Sequence, residues 1–81
     1  MGDGKWIPED TGLNKSFEFK NFSAAFAFMT RVAILAEQQD HHPTWTNTYN
    51  RVHITLCTHS AGNTITQKDY TLAAAIDALF I

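Results

Sequence analysis

The side chains best suited to chemistry stand in Glu37-Gln38-Gln39-Asp40-His41-His42-Pro43, followed by Tyr49, His59 and Asp69. Histidine has an unperturbed pKa of about 6.5 and can give or accept a proton near neutrality. Two adjacent histidines with a third downstream therefore read first as a proton-transfer site. Two other chemistries use the same residue types. Cys57, His59 and His42 with Asp40 form a candidate zinc set, although adjacent histidines do not easily aim at one ion and no standard ligand spacing is present. Cys57 beside a histidine is also a candidate nucleophile, without a known local signature around it. The structural alternative for His41-His42-Pro43 is a polar turn at a helix end.

Two acids flank these histidines. Asp69 is the last residue of Thr66-Gln67-Lys68-Asp69, the Ser/Thr-x-x-acid pattern of a helix N-terminal capping box, and helix capping explains it on spacing alone. Glu37 falls on a last helical turn, where the helix dipole disfavours an acid. Either a role beyond helix stability or plain solvation accounts for it.

The elements that must position these groups follow from period and punctuation. Residues 1–12 hold three of the four glycines and read as a loose arm around a short Trp6-Ile7 strand. Ser16-Phe17-Glu18-Phe19 alternates with period two, a strand with both phenylalanines on one face. From Phe22 to Gln39 there is no Gly or Pro, and Phe22, Ala25, Phe26, Met29, Val32, Ala33 and Ala36 recur at helical spacing. A second apolar line, Ala24, Phe28 and Leu35 with Ile34, widens the stripe, as a broad core or a subunit interface requires. Pro43 disfavours helix at His42, so the helix ends by about Asp40.

Thr44–Tyr49 and Val52–Thr58 read as a hairpin across Asn50-Arg51. That register faces Tyr49 with Val52, Asn47 with Ile54 and Trp45 with Leu56 on a packing face, where Trp45 and Tyr49 serve the core. On the other face Thr48 meets His53, Thr46 meets Thr55, Thr44 meets Cys57, and His42 meets His59 at the open end. His53 lies six residues farther along, about 20 Å at the rise of an extended strand, and reads as a surface histidine. Ala61-Gly62-Asn63 marks a turn, and a final helix from the capping box buries Leu72, Ala73, Ile76, Leu79 and Phe80.

Composition bounds the setting. The chain has 81 residues, 44% of them hydrophobic, which suits a single domain over residues 1–81 near the size where one core is only marginally sufficient; oligomerisation would help. Six basic against eight acidic residues give a charge of -2, and no basic tract favours direct nucleic-acid binding. A lone cysteine fits a reducing compartment. The N-terminus has no secretory h-region and no apolar run approaches the roughly 18 residues of a membrane span, so the expectation is a cytoplasmic protein without membrane contact.

Taken together, Glu37-x3-His41-His42-Pro43-x5-Tyr49-x9-His59-x9-Asp69 resembles the signature of the pterin-4a-carbinolamine (4a-hydroxytetrahydrobiopterin) dehydratases. The likeness extends through Trp6, Phe17-Glu18-Phe19, Phe22, Ala25, Phe28, Tyr49 to Leu56, Thr58-His59 and Leu72-Ala73. It implies an α+β fold, with helices on one face of a four-stranded antiparallel sheet, in dimers or tetramers. Most relatives carry a further helix before the tryptophan, and the expectation here is a domain without that first helix.

The resemblance also implies an activity. Members dehydrate the carbinolamine left by aromatic amino acid hydroxylases to quinonoid dihydropterin, with no cofactor, neither metal nor nucleotide. His41, His42 and His59 would be catalytic. Asp40-His41-His42 and Cys57-Thr58-His59 would contact the substrate, with Glu37 and Asp69 supporting; many relatives carry serine where Cys57 stands. Some members instead stabilise the dimer of a homeodomain transcription factor as coactivators, a binding-module alternative that also admits a nuclear location.

Overall fold

In the computed structural model, which describes residues 4–80, two short strands come first. β1 (Ile7–Glu9) turns back into β2 (Gly12–Glu18), with Ile7 opposite Asn14 and Glu9 opposite Gly12. Gly12 is required at this corner: its φ is 133°, and a Cβ there would lie 2.3 Å from the Leu56 carbonyl oxygen. The expected N-terminal strand is therefore present but centred beyond Trp6. Residues 1–3 of the arm and residue 81 lie outside the described residues.

Helix α1 (Phe22–Gln39) has the bounds that its uninterrupted helical period predicts. Asn21 caps it, its side-chain oxygen accepting from the Ala24 amide at 2.9 Å. β3 (Thr44–Thr48) and β4 (Arg51–Leu56) form the hairpin, followed by a 3-10 turn at His59–Ala61, helix α2 (Gln67–Asp77) and a last 3-10 turn at Ala78–Phe80. The four strands make one antiparallel sheet in the order β1-β2-β4-β3.

The hairpin register differs from the expected one by two residues. Trp45 faces Ile54, Asn47 faces Val52, Thr46 faces His53 and Thr44 faces Thr55, so the loop is Tyr49-Asn50. Tyr49 takes a φ of 50°, and the Asn47 amide donates to the carbonyls of Tyr49 (3.1 Å) and Arg51 (2.8 Å). Asn50 is tied to the end of β2, its side chain donating to the Phe19 carbonyl and its own carbonyl accepting from the Phe19 amide, both at 2.8 Å. These bonds hold the loop one residue earlier than Asn50-Arg51. Tyr49 is consequently 62% exposed rather than in the core. A slip of two preserves the faces, so Val52, Ile54 and Leu56 still point inward.

Both helices cover one sheet face. Leu13, Phe17, Val52, Ile54 and Leu56 from the sheet meet Ala25, Phe28 and Val32 of α1 and Leu72, Ala73 and Ile76 of α2. The buried line of α1 is Ala25, Phe28, Val32 and Ala36. Phe22, Phe26 and Ala33, expected in that line, are exposed, Phe26 by 55%. Helical period shows that two apolar lines exist but not which faces the sheet. The choice follows Phe28, whose ring lies 4.8 Å from that of Phe17 and 5.0 Å from that of Phe19. Phe80 closes this cluster, 5.8 Å from Phe17, although it keeps partial exposure. Lys15 also points inward from β2, its ammonium 2.8 Å from Asp77, which accepts from the Trp6 indole as well. No helix among the described residues is long and apolar enough to cross a membrane.

Candidate active site

The end of α1 separates two neighbouring histidines. Asp40 takes the left-handed conformation (φ 50°, ψ 45°), its amide donating to the Glu37 carbonyl and the His41 amide to the Ala36 carbonyl at 3.0 Å. This pair of reversed bonds is a Schellman turn. It folds His41 back under the helix, where it is 9% exposed, and sends His42 outward ahead of Pro43.

His41 then meets α2. Its Nε2 lies 2.5 Å from Oδ1 of Asp69, which is 0% exposed. Asp69 completes the capping box expected from Thr66-Gln67-Lys68-Asp69. Its Oδ2 accepts from the Thr66 amide at 2.8 Å and from the Thr58 hydroxyl at 2.9 Å. One carboxylate thus caps a helix and orients a histidine. A carboxylate only accepts, so Nε2 of His41 carries a proton, and in the neutral ring Nδ1 is the free acceptor.

His42 repeats the arrangement in solvent. Its Nε2 is 2.7 Å from Oε1 of Glu37, one turn back across the helix end, and both side chains are largely exposed. At that exposure the pair adds little stability, so its effect is to fix the ring and its tautomer. The presence of an acid on an unfavourable turn is thereby given a partner.

His59 enters from the other side, on the 3-10 turn after β4. The expected cross-strand pairing of His42 with His59 does not form, because β3 begins at Thr44 and β4 ends at Leu56. The loops nonetheless converge. Asp40, His41, His42, Thr58 and His59 line one open cavity of about 300 Å³. Ser60 and Lys68 complete its wall, neither of them singled out from the sequence. Lys68 is the second residue of α2 inside the capping-box pattern, the one sequence signal that pointed to its vicinity. A second cavity of about 410 Å³, lined by Gln39, Gln67 and Thr71, shares His41 and Lys68 with the first.

Three expected site residues stand apart from that cavity. Cys57 is half-buried behind β4 and does not line it, while Glu37 and Asp69 act behind the histidines they hold. Thr58 lines the cavity but is buried, its hydroxyl bonded to Asp69 and lying 2.6 Å from that of Thr66. Among the described residues no group of three or more His, Cys, Asp or Glu side chains is gathered closely enough to hold a metal ion.

An α+β layer brings two carboxylate-held histidines and a third to one cavity, an arrangement of side chains able to give and accept protons near neutrality. The chain belongs to the pterin 4 alpha carbinolamine dehydratase family, whose model matches residues 3–79. A relative from Rhodospirillum rubrum, provisionally named a pterin-4-alpha-carbinolamine dehydratase, is 58% identical over 69 residues, 85% of this chain and 71% of its own length. One from Mesorhizobium japonicum with the same provisional name is 48% identical over 80 residues, 99% of this chain and 81% of its own.

Solved structures agree on the fold. A transcriptional coactivator/pterin dehydratase from Brucella melitensis superposes with a TM-score of 0.83 at 47% identity, over 90% of this chain and 79% of that one. A pterin dehydratase-like protein described as a RuBisCO assembly factor in the alpha-carboxysome gives 0.82 at 26% identity, over 98% and 93%.

Proposed function

We propose that this chain is a 4a-hydroxytetrahydrobiopterin dehydratase, converting the pterin-4a-carbinolamine to quinonoid dihydrobiopterin and water in tetrahydrobiopterin recycling. The observation that carries the reading is the convergence of His41, His42 and His59 on one cavity. The reaction removes the 4a-hydroxyl and the N5 proton, so it needs an acid at the departing oxygen and a base at nitrogen. Nδ1 of a histidine whose Nε2–H is held by a carboxylate is such a base, and the carboxylate stabilises the imidazolium that results. A second histidine, entering protonated, delivers its proton to the hydroxyl, which leaves as water. No cofactor enters the balance. Asp40 and Lys68 supply charges of both signs for the polar edge of the pterin, and the chain would work as a homodimer or homotetramer.

Metal-free protein should accelerate dehydration of synthetic carbinolamine, and His42→Ala or His59→Ala should remove most of the gain. Unchanged turnover in both variants would sink the assignment. The second reading, a dimerisation cofactor or assembly partner, draws on the coactivator and assembly-factor descriptions of the two structural neighbours. It requires the opposite result: no turnover in the parent, and partner binding indifferent to both substitutions.

A further inference from the structure

The sheet face turned away from the helices carries a second histidine-centred arrangement that the dehydratase reading does not use. Ser16 and His53 are directly opposed on β2 and β4. Oγ of Ser16 lies 2.7 Å from Nδ1 of His53, and Nε2 of the same ring lies 2.9 Å from Oδ1 of Asn14.

For a neutral His53 ring, the partners in this row set the direction of each proton. The Asn14 amide nitrogen donates to the Thr11 hydroxyl at 3.0 Å and the Gly12 carbonyl at 3.1 Å. Its oxygen must therefore face His53, where it also accepts from the Thr55 hydroxyl at 2.6 Å. An amide oxygen only accepts, so Nε2 carries the ring proton. Nδ1 is then the acceptor, and the Ser16 hydroxyl donates to it. A nucleophile bonded to one histidine nitrogen while a side-chain oxygen holds the other recurs in hydrolases on unrelated folds, there with Nε2 toward the nucleophile and here with Nδ1. Asn14 is itself buried, which fixes the orienting group.

Space and charge adjoin the hydroxyl. Ser16 and His53 line an open cavity of about 350 Å³ with Thr46, Thr48 and Arg51. Arg51 faces Glu18, one cross-strand pair along from Ser16 on the same face. Such a diagonal neighbour stands about 7–8 Å away, within reach of a guanidinium. The Arg51 guanidinium lies 3.7 Å from the Glu18 carboxylate in a solvent-exposed pair, weak enough to be exchanged for a developing oxyanion beside Ser16.

We propose that Ser16 is a nucleophile, activated by His53 and oriented through Asn14, that accepts an acyl group from small activated carboxylic esters. Oγ attacks the carbonyl carbon as its proton passes to Nδ1 of His53. The tetrahedral oxyanion collapses, the ester C–O bond breaks, and the alcohol departs with the proton from Nδ1. Acyl-Ser16 remains, and water activated by the same nitrogen slowly returns it to the hydroxyl. An activated ester expels a weakly basic aryloxide whereas deacylation must expel the Ser16 alkoxide, so acylation outruns deacylation.

The full chain treated with p-nitrophenyl acetate should release a burst of p-nitrophenolate and gain one acetyl group, mapped by peptide mass spectrometry to Ser16. Ser16→Ala should lose that adduct while keeping its thermal melt and carbinolamine turnover. His53→Gln should slow Ser16 acetylation on the order of 10²-fold, the usual worth of a general base. His42→Ala should acetylate as the parent does, separating this site from the dehydratase. Acetyl groups only on lysines or the N-terminus, or equal Ser16 acetylation in folded His53→Gln, would overturn the proposal.

Discussion

Asp69→Asn changes charge and proton direction while keeping shape, so it tests the buried centre of the candidate active site. The carboxylate accepts from His41, Thr58 and the Thr66 amide. Asparagine keeps one acceptor oxygen. Facing Thr58 and Thr66, it turns its NH₂ toward Nε2 of His41, which must then give up its proton and carry it on Nδ1 instead. Hydrogen bonds to charged groups contribute about 1.5–3 kcal/mol and neutral ones about 0.5–1.5, so three conversions cost about 3 kcal/mol before relief of the buried charge. A net loss of about 2 kcal/mol should appear in urea unfolding, a large share of the roughly 5–15 kcal/mol of an ordinary domain. Turnover of carbinolamine should fall on the order of 10²–10⁴-fold through the wrong tautomer. Nitrogen-15 spectra of the imidazoles would show the proton's move to Nδ1 directly. A variant with the parent's urea midpoint, ring spectrum and rate would refute the coupling of Asp69 to His41.

Glu37→Gln should leave the unfolding free energy from urea titration within about 0.5 kcal/mol of the parent's, because the pair with His42 is solvent-exposed, yet lower turnover several-fold by loosening the ring; a parental rate would remove Glu37 from the site. Gly12→Ala should cost about 3 kcal/mol or more, since the new Cβ meets the Leu56 carbonyl at 2.3 Å with φ at 133°; a thermal melt near the parent's would contradict that geometry. Asp40→Gly should hold or raise stability by up to about 1 kcal/mol by relieving a left-handed non-glycine residue, while weakening apparent substrate affinity if the carboxylate faces the pterin. Calorimetry and steady-state kinetics on the same preparation separate the two effects.

Local rules made much of the fold legible. The absence of Gly and Pro from Phe22 to Gln39 and the placement of Pro43 bounded α1, and the capping-box pattern located α2. Alternation assigned Val52, Ile54 and Leu56 to the core correctly, yet left the register two residues out, since a period of two labels faces and not partners. What decided the register was Asn50 bound to Phe19, 31 residues away, with Tyr49 accepting a left-handed backbone. The contact between His41 and Asp69 was illegible for the same reason: it spans 28 residues, and helix capping already explained the acid. Ser16 and His53 share that history, because only the β2–β4 register places a serine opposite that ring.

Asp69 also joins two events that most enzymes keep apart. The oxygen that secures the Thr66 amide belongs to the carboxylate that holds His41, so fraying of the first turn of α2 and release of His41 are a single local opening. Deuterium uptake at one backbone position, the Thr66 amide, therefore clocks how often the resting protein lets go of His41. A ligand seated against His41 should slow that clock at Thr66 more than at amides elsewhere in α2.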